Sequence, residues 1–295
     1  MTTWQMAQTT NVNIACRSNL SAIHSGHLLS YANGFSQARH RGKILHRLRR
    51  NVIKKREFQV AHSTVEQSPQ GLRTEPWLGS AEQRQALYEV QERMKNCPYG
   101  VPDEATCRWF LRDRKFDIVE AEEKLQEMMK WRREFGVDRI TEAMVAAEAA
   151  TGKAQLWDHP DVWGQPVVLV RVDRHVIGEV PLEDSIRLCV SVLEKAQQQA
   201  EAAGTETALG IFSLKDFGPQ NADIVFAKFL IEALFTYYPK RFSQILFVDA
   251  PFVFQAPWKI IKPMLRKYSA LVRFVSAKEV RNEYFTKETC PPDFV

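Results

Sequence analysis

The sequence of 295 residues predicts an α/β fold class, in which a small all-helical lobe at residues 80–150 precedes an α/β lobe at residues 151–295 with a mostly parallel sheet. Two observations predict this fold. The first region has helix-capping residues followed by apolar residues at helical spacing. The second alternates short apolar runs with longer amphipathic segments, which is the pattern of parallel strands joined by crossover helices.

The N-terminal sixty residues differ from the rest in charge. Met1–Arg56 holds ten basic residues and no acidic residue, is rich in Ser, Thr and Asn, and lacks the apolar core of a secretory signal. We therefore predict a disordered transit peptide at residues 1–60, which directs the protein to the chloroplast stroma and the surface of the envelope or thylakoid. The alternatives are a mitochondrial signal and a basic arm that binds RNA or acidic lipid. Residues 61–79, with Pro and Gly, are a predicted linker.

Capping residues predict the helices of the first lobe in order. Ser80 and Gln83 form a capping box that begins a helix ending near residue 97. Asp103 caps a second helix and Asp117 a third, which runs to a glycine at position 136. A fourth helix is predicted around residues 141–150.

Apolar runs and amphipathic segments predict the elements of the second lobe. The predicted strands are Val167–Val172, Leu209–Leu214, Ile245–Val248 and Leu271–Val275. The predicted helices are Pro181–Ala203, Ala222–Tyr238 and Gln255–Leu265.

Charge and composition exclude several classes of function. Removing the ten N-terminal basic residues leaves 30 basic against all 35 acidic residues in Glu57–Val295, and this net charge of −5 argues against nucleic-acid binding. The five cysteines form no CxxC pair, and His159 and His175 have no partners at metal-ligand spacing, so we interpret both histidines as turn or surface residues. No transmembrane run, nucleophile motif or cofactor loop is present. We therefore expect a binding protein that is not an enzyme and has no cofactor and no metal.

Two segments have unusual patterns. Ile224–Tyr238 has a narrow polar stripe of Lys228, Glu232 and Thr236, so its apolar surface must pack on two sides, either with the helical lobe or as the wall of a cavity. Gln255–Arg273 has five basic residues and no acidic residue beside an apolar face. This pattern is typical of a helix that lies on an anionic membrane surface, although a solvated basic face is the simpler alternative.

Motifs in the same regions carry a resemblance to a known family. Leu111–Asp117 (LRDRKFD), followed by Trp131 and Arg132, resembles the N-terminal lobe of CRAL-TRIO proteins. Tyr237–Arg241 (YYPKR), followed by Ala250–Phe252 (APF), resembles the core of the CRAL-TRIO lipid-binding domain. The resemblance implies a sheet that floors an apolar lipid pocket, closed by a mobile gate helix. It implies phosphatidylinositol-transfer-like lipid binding. With the predicted transit peptide, the chain would be a plastid-targeted, plant-type member of the family.

The resemblance and the two segments together give the predicted site residues. The expected lipid head-group residues are Arg114, Lys115, Lys240, Arg241, Lys262 and Ser269. The expected pocket and gate residues are Phe226, Phe229, Leu230, Phe252, Phe254, Trp258, Ile261, Met264 and Leu265. A cap at the end of a helix is the alternative role for Arg114 and Lys115.

The predicted ligand follows from two departures from the family pattern. Phosphatidylinositol-transfer members have Glu and Lys where this chain has Lys240 and Val272. These departures weaken inositol recognition, while Arg114, Lys115 and the basic window Lys259–Arg273 favour a negative charge. We therefore expect anionic phospholipids, namely phosphatidic acid and phosphoinositides, without strict inositol recognition. The protein would move or present them between organelle membranes, bound peripherally to an anionic surface, and so support membrane or vesicle biogenesis. The alternatives are a carrier of an isoprenoid, such as a carotenoid or tocopherol, and a protein-interaction adaptor.

The transit-peptide prediction is testable by itself. A fluorescent protein fused behind residues 1–56 should be imported into chloroplasts and cleaved, because the segment is basic, acid-free and without a secretory core. Microscopy and the size of the product on a gel measure both effects. An uncleaved fusion that stays in the cytosol would contradict the prediction.

Overall fold

The computed structural model describes Leu72 and residues 74–295. The predicted transit peptide at residues 1–60 lies outside the described residues, as does most of the predicted linker. The described residues belong to one compact unit. The lobe boundary near residue 150 remains a prediction.

Four helices form the N-terminal part of the described chain. They are α1 at Ala81–Met94, α2 at Glu104–Asp113, α3 at Ile118–Phe135 and α4 at Glu142–Ala150. The predicted caps are confirmed for the first three helices, since Ser80, Asp103 and Asp117 each accept a hydrogen bond from the backbone N–H three residues later. The first box is only half formed, because the Gln83 side chain accepts instead from the N–H groups of Leu78 and Gly79.

The sheet has five strands in the order of the sequence. They are β1 at Ala154–Leu156, β2 at Val167–Arg171, β3 at Ala208–Ser213, β4 at Phe242–Val248 and β5 at Val272–Val275. Strands β2 to β5 are parallel, as predicted, and β1 pairs with β2 in the antiparallel direction. Strand β1 was not predicted, because three residues are too few to show a period of two.

Four further helices accompany the strands. They are α5 at Leu182–Ala202, α6 at Ile224–Glu232, α7 at Gln255–Leu265 and α8 at Ala277–Tyr284. Helix α6 continues into a π-helical turn at Ala233–Tyr237. Helix α8 was missed although its capping box is visible in the sequence: Ser276 accepts from the Glu279 N–H, and the Glu279 carboxylate accepts from the Ser276 N–H. None of the helices in residues 74–295 is long and apolar enough to cross a membrane.

The two faces of the sheet pack against different elements. Successive side chains of each strand point to opposite faces. Val167, Leu169 and Leu209 belong to a core shared with α8 and the C-terminal segment. Val168, Val170 and their neighbours on the other strands form the opposite face, which packs against α5 and α6. The candidate site lies on this second face.

Candidate functional site

An apolar cavity lies between the second face of the sheet and helices α6 and α7. Its volume is about 130 Å³. The strands form the floor with Val170, Phe212, Ile245, Phe247 and Val272. Helix α6 and its continuation form one wall with Phe226, Leu230, Ile231 and Leu234, and α7 forms the other with Pro257, Ile261 and Leu265. The lining is almost wholly apolar, so the cavity suits a hydrocarbon chain.

The narrow polar stripe of helix α6 is explained by its packing, because the helix both lines the cavity and contacts the helical lobe. Phe226 and Leu230 face the cavity. On another side, Phe229 lies 6.5 Å from Phe135 of α3, between ring centroids, and Tyr237 stacks on Trp131 at 3.9 Å. The helix therefore holds the cavity on one side and the helical lobe on the other.

The cavity is small for a lipid in this conformation. Ligand pockets have typical volumes of about 300–1,000 Å³. A second apolar cavity of about 40 Å³ shares five lining residues with the first, namely Val170, Phe212, Leu230, Leu234 and Ile245. Displacement of these shared side chains, or of α7, would join and widen the two spaces.

Aromatic side chains hold the first half of α7 against the sheet. Trp258 makes edge-to-face contacts with Phe247 at 5.5 Å and with Phe274 at 5.1 Å. Phe254 meets Phe217 at 5.2 Å in the same manner. Such contacts contribute about 0.5–1.5 kcal/mol each beyond burial. These aromatic contacts pack the first half of α7 against the sheet and the segment after β3.

Two backbone features interrupt and end the second half of α7. Pro263 lies inside the helix, where its ring removes one backbone hydrogen bond. Arg266 then adopts a backbone φ of +47°, a conformation that residues other than glycine rarely adopt. The helix therefore stops beside the open pocket described next.

A basic pocket of about 850 Å³ opens beside the cavity. Its basic lining residues are Arg114, Lys124, Lys228, Arg266 and Lys267, and its one acidic lining residue is Glu232. Burial lowers the pKa of Lys267, and the nearby charges of Lys240, Arg114 and Lys115 lower it further, against an opposing effect of Asp113. Cations that repel one another in this way would be stabilised by a bound anion.

Comparison with known proteins identifies the fold that carries these two spaces. Residues 150–294 match the family model described as the CRAL/TRIO domain. The chain therefore contains a CRAL-TRIO domain. A solved structure, titled the crystal structure of Sfh5, has the same fold with a TM-score of 0.56 and 14% identity, covering 70% of this chain and 84% of that one.

Two curated relatives extend the similarity into the helical lobe. The SEC14 cytosolic factor of Yarrowia lipolytica is 30% identical over 72% of this chain, and the phosphatidylinositol transfer protein CSR1 of Eremothecium gossypii is 26% identical over 67%. The chain spans about half the length of both relatives, 47% in each case. The chain is thus Sec14-like. Both relatives are fungal and one is named a cytosolic factor, so the predicted plant-type, plastid-targeted membership gains no support from them.

The predicted pocket residues of the CRAL-TRIO domain fall into two groups. Five of the nine line the cavity: Phe226, Leu230, Phe254, Ile261 and Leu265. The other four do not line it. Met264 lines the basic pocket, Phe229 packs on the helical lobe, Trp258 holds α7 to the sheet, and Phe252 is 81% exposed.

The structure places Lys240 and Arg241 in contacts between the CRAL-TRIO domain and α2. The Lys240 Nζ lies 3.0 Å from the Asp113 Oδ1, and both residues are buried. The Arg241 guanidinium lies 3.7 Å above the Trp109 ring, and burial lowers its pKa to about 10. The Trp109 Nε1 donates to the carbonyl of Pro239 at 2.9 Å. These contacts dock the YYPKR motif onto the helical lobe.

The other predicted head-group residues are more exposed. Arg114 lines the basic pocket and Lys115, in the same turn, is exposed. Lys262 is exposed and Ser269 donates a hydrogen bond to the Arg266 carbonyl at 2.8 Å, and neither lines the basic pocket. A head-group role stays a prediction for all of them.

Sequence reasoning missed four cations of the basic pocket: Lys124, Lys228, Arg266 and Lys267. Lys228 belonged to the recognised polar stripe, and the last two belonged to the recognised basic window. The sequence therefore marked three of these cations as part of unusual patterns. It did not show that α6, α7 and the turn after α2 lie close together in the fold.

The prediction that His175 is a turn or surface histidine is wrong, because the side chain is buried. Its exposed fraction is 7%, and it lines the apolar cavity beside Asn221 and Asp223. Local sequence patterns do not show this burial, because residues 46 and 48 positions further along the chain are its hydrogen-bonded neighbours. No group of three His, Cys, Asp or Glu side chains in residues 74–295 is placed to hold a metal ion.

The buried Lys240–Asp113 pair yields a stability prediction. Lys240→Met should lower the free energy of unfolding by about 3 kcal/mol, because it leaves the Asp113 carboxylate buried with a poorer partner. The Arg114 Nε remains 2.9 Å from the other carboxylate oxygen, but without hydrogen-bond geometry, so the loss lies at the low end of the usual range. Urea unfolding followed by circular dichroism measures it.

The matched control for this prediction is Lys262→Met, which removes an exposed lysine and should change stability by less than about 0.5 kcal/mol. Wild-type stability of the Lys240→Met variant, together with weaker lipid binding, would instead assign Lys240 to the head group.

Proposed function

We propose that this chain is a lipid-binding and transfer protein, and not an enzyme, whose cavity takes the acyl chains of an anionic phospholipid. The phosphate of that lipid, a phosphatidic acid or a phosphoinositide, would bind in the basic pocket. One observation carries the proposal: the apolar cavity and the basic pocket adjoin. Ile231 lines both, and α7 presents Ile261 to the first and Met264 to the second.

The energetics of acyl chains support a closing helix. Two chains carry about thirty methylenes, and burial of each contributes about 0.8 kcal/mol, so the gross transfer energy is on the order of 20 kcal/mol. A carrier must enclose the chains in transit and open to release them. Helix α7 is suited to this movement, because its second half contains Pro263 and ends at the strained Arg266.

The choice of an anionic lipid rests on the charges of the pocket. Of the five cations in the lining, Arg114 pairs with Asp113 and Lys124 with Glu127. Lys228, Arg266 and Lys267 still outnumber the one lining carboxylate, which favours a phosphomonoester, whose charge is near −1.5 to −2, over a zwitterionic head group. The name of one relative, the phosphatidylinositol transfer protein CSR1, supports phosphatidylinositol as one ligand. Val272, at the position where phosphatidylinositol-transfer members have a lysine, lines the apolar cavity, so that inositol contact is replaced by an apolar wall.

The proposed setting is the surface of organelle membranes. We propose that the protein moves or presents its lipid there, and that plastid targeting depends on the first sixty residues. Isoprenoid carriage in the same cavity and a purely adaptor role are the alternatives. Lipid extraction and native mass spectrometry of the purified full chain distinguish them: an anionic phospholipid supports the proposal, whereas a bound isoprenoid or no ligand contradicts it.

The basic pocket makes a specific prediction for membrane binding. Arg266→Gln with Lys267→Gln should weaken binding to phosphatidic-acid vesicles about thirtyfold, because each charge near an anionic surface contributes about 1 kcal/mol. Flotation in a density gradient measures the bound fraction. Raising the salt from 0.1 M to 1 M should also weaken wild-type binding, as the Debye length falls from about 10 Å to about 3 Å.

The control removes the same charge on the other side of the sheet. Lys278→Gln with Lys287→Gln alters two exposed lysines and should leave binding close to that of the wild type. If both double variants bind equally, net charge and not the pocket controls binding, and the proposed phosphate site is wrong.

A second prediction concerns which side chains enter the membrane. The exposed apolar residues around α7 are Phe252, Val253 and Ile260, at 81%, 41% and 50% exposure. Phe252→Asp with Ile260→Asp should therefore reduce vesicle binding at least tenfold while the melting temperature stays within about 2 °C, because neither side chain is core. By contrast, Ile261→Asp should lower the melting temperature, since Ile261 lines the cavity.

Val101→Asp, which alters an equally exposed apolar residue on the helical lobe, is the matched control and should bind as the wild type does. Unchanged vesicle binding by the Phe252 and Ile260 double variant would show that this surface does not face the membrane.

A further inference from the structure

One end of the apolar cavity is polar. His175, Asn221 and Asp223 line it there, where the segments after β2 and β3 leave the sheet and α6 begins. His175 is 93% buried and its ring lies 4.8 Å from that of Phe226. A polar group inside an apolar wall needs a hydrogen-bond partner.

Two of the three polar side chains are fully engaged within the protein. The Asn221 Nδ2 donates to the carbonyls of Asp173 and His175, and its Oδ1 accepts from the Gly218 N–H. The Asp223 Oδ1 accepts from the Phe226 N–H and thereby caps α6, while its Oδ2 lies 3.0 Å from the His175 Nε2.

The imidazole of His175 is the exception. Its Nδ1 is buried and has no hydrogen-bond partner among the residues that the structure describes. The Asp223 carboxylate accepts hydrogen bonds, so the tautomer that suits this pair carries its hydrogen on Nε2, and the Nδ1 of that tautomer is an acceptor. The protein therefore leaves one unpaired ring nitrogen on an imidazole that lines the polar end of the hydrocarbon cavity.

We infer that the ligand of this cavity carries a hydroxyl group that donates to the His175 Nδ1. An alcohol fits better than a charged group, because it brings a donor without a charge into an apolar wall. The inference rests on the proposed lipid-binding function of the cavity. The chemistry is that of a hydroxylated hydrocarbon chain, either a free lipid alcohol or a hydroxylated acyl chain of the proposed phospholipid.

The position of His175 distinguishes this contact from the proposed phosphate site. His175 lies beside Asp223, at the start of α6, whereas the basic pocket is lined by α6 and its continuation from Lys228 onward. Helices α6 and α7 each follow a strand and run back along the parallel sheet, so Lys267 lies beyond the other end. The two polar regions would therefore contact different parts of a hydroxylated phospholipid, whereas a free lipid alcohol would need only His175.

The test compares the wild-type full chain with His175→Gln. A glutamine amide reaches Asp223 as the Nε2 does but has no polar atom at the position of the Nδ1. Each protein is incubated with an equimolar mixture of 1-hexadecanol and hexadecane delivered from cyclodextrin, then desalted, and the extracted ligands are quantified by gas chromatography. The wild type should bind the alcohol over the alkane five- to tenfold more strongly than the variant does.

A second arm uses phosphatidic acid with oleoyl or with 12-hydroxyoleoyl chains, in the same competition. Discrimination in the first arm assigns the hydroxyl to a free lipid alcohol, and discrimination in the second assigns it to an acyl chain, so either result supports the inference. Equal alcohol-to-alkane ratios and equal phospholipid ratios for the two proteins would overturn it. His159→Gln, an exposed histidine, is the matched control and should behave as the wild type does.

A measurement without substitution guards against a variant that fails to fold. The nitrogen-15 NMR resonance of the His175 Nδ1 in the wild type should shift when 1-hexadecanol is added and stay in place with hexadecane. No shift with the alcohol would also overturn the inference. Loss of phosphatidic-acid flotation in the Arg266 and Lys267 double variant is independent of this result, so the two proposals can fail separately.

Discussion

The incomplete filling of one sheet face is the constraint on which the rest of this structure depends. The opposite face is sealed by α8 and the C-terminal segment. The second face is covered by α5, α6 and α7, and α6 must also pack on the helical lobe through Phe229 and Tyr237. A helix held from two sides cannot settle fully onto the sheet. The space beneath it is lined by side chains such as Val170 and Leu230 and remains apolar.

The contacts that hold the helical lobe also shape the basic pocket. Asp113 at the end of α2 pairs with Lys240, which follows the end of α6, and the Arg241 guanidinium covers Trp109. These contacts bury Lys240 and most of the Arg241 side chain, which would otherwise face solvent. They fix the turn after α2, and so bring Arg114 next to Lys267 in the basic pocket. Cations that hold the helical lobe and cations that line the basic pocket are thus neighbours in sequence.

The cavity has polar groups of different character at its two ends. The basic pocket is open and rich in cations, whereas His175 is enclosed by aromatic and aliphatic side chains. An elongated amphipathic ligand would meet both. Between them α7 is packed by Trp258 and Phe254 in its first half and interrupted by Pro263 in its second. Opening of the second half would expose the cavity beside the basic pocket and leave the His175 end in place.

The sequence by itself determined the order and type of most elements. Caps at Ser80, Asp103 and Asp117, and the alternation of apolar runs with amphipathic segments, are local patterns that the backbone enforces within a few residues. The exceptions were β1, which is too short for a period, and α8, whose box at Ser276 was overlooked.

Only the tertiary structure decided which side chains meet. Lys240 was expected at a head group and lies in a buried pair, because Asp113 is 127 positions away. His175 was expected on the surface and lines the cavity for the same reason. Local patterns report which face of an element is apolar, but the partner of a charge or of a ring nitrogen depends on how distant segments pack, and single-sequence periodicity carries no information about that.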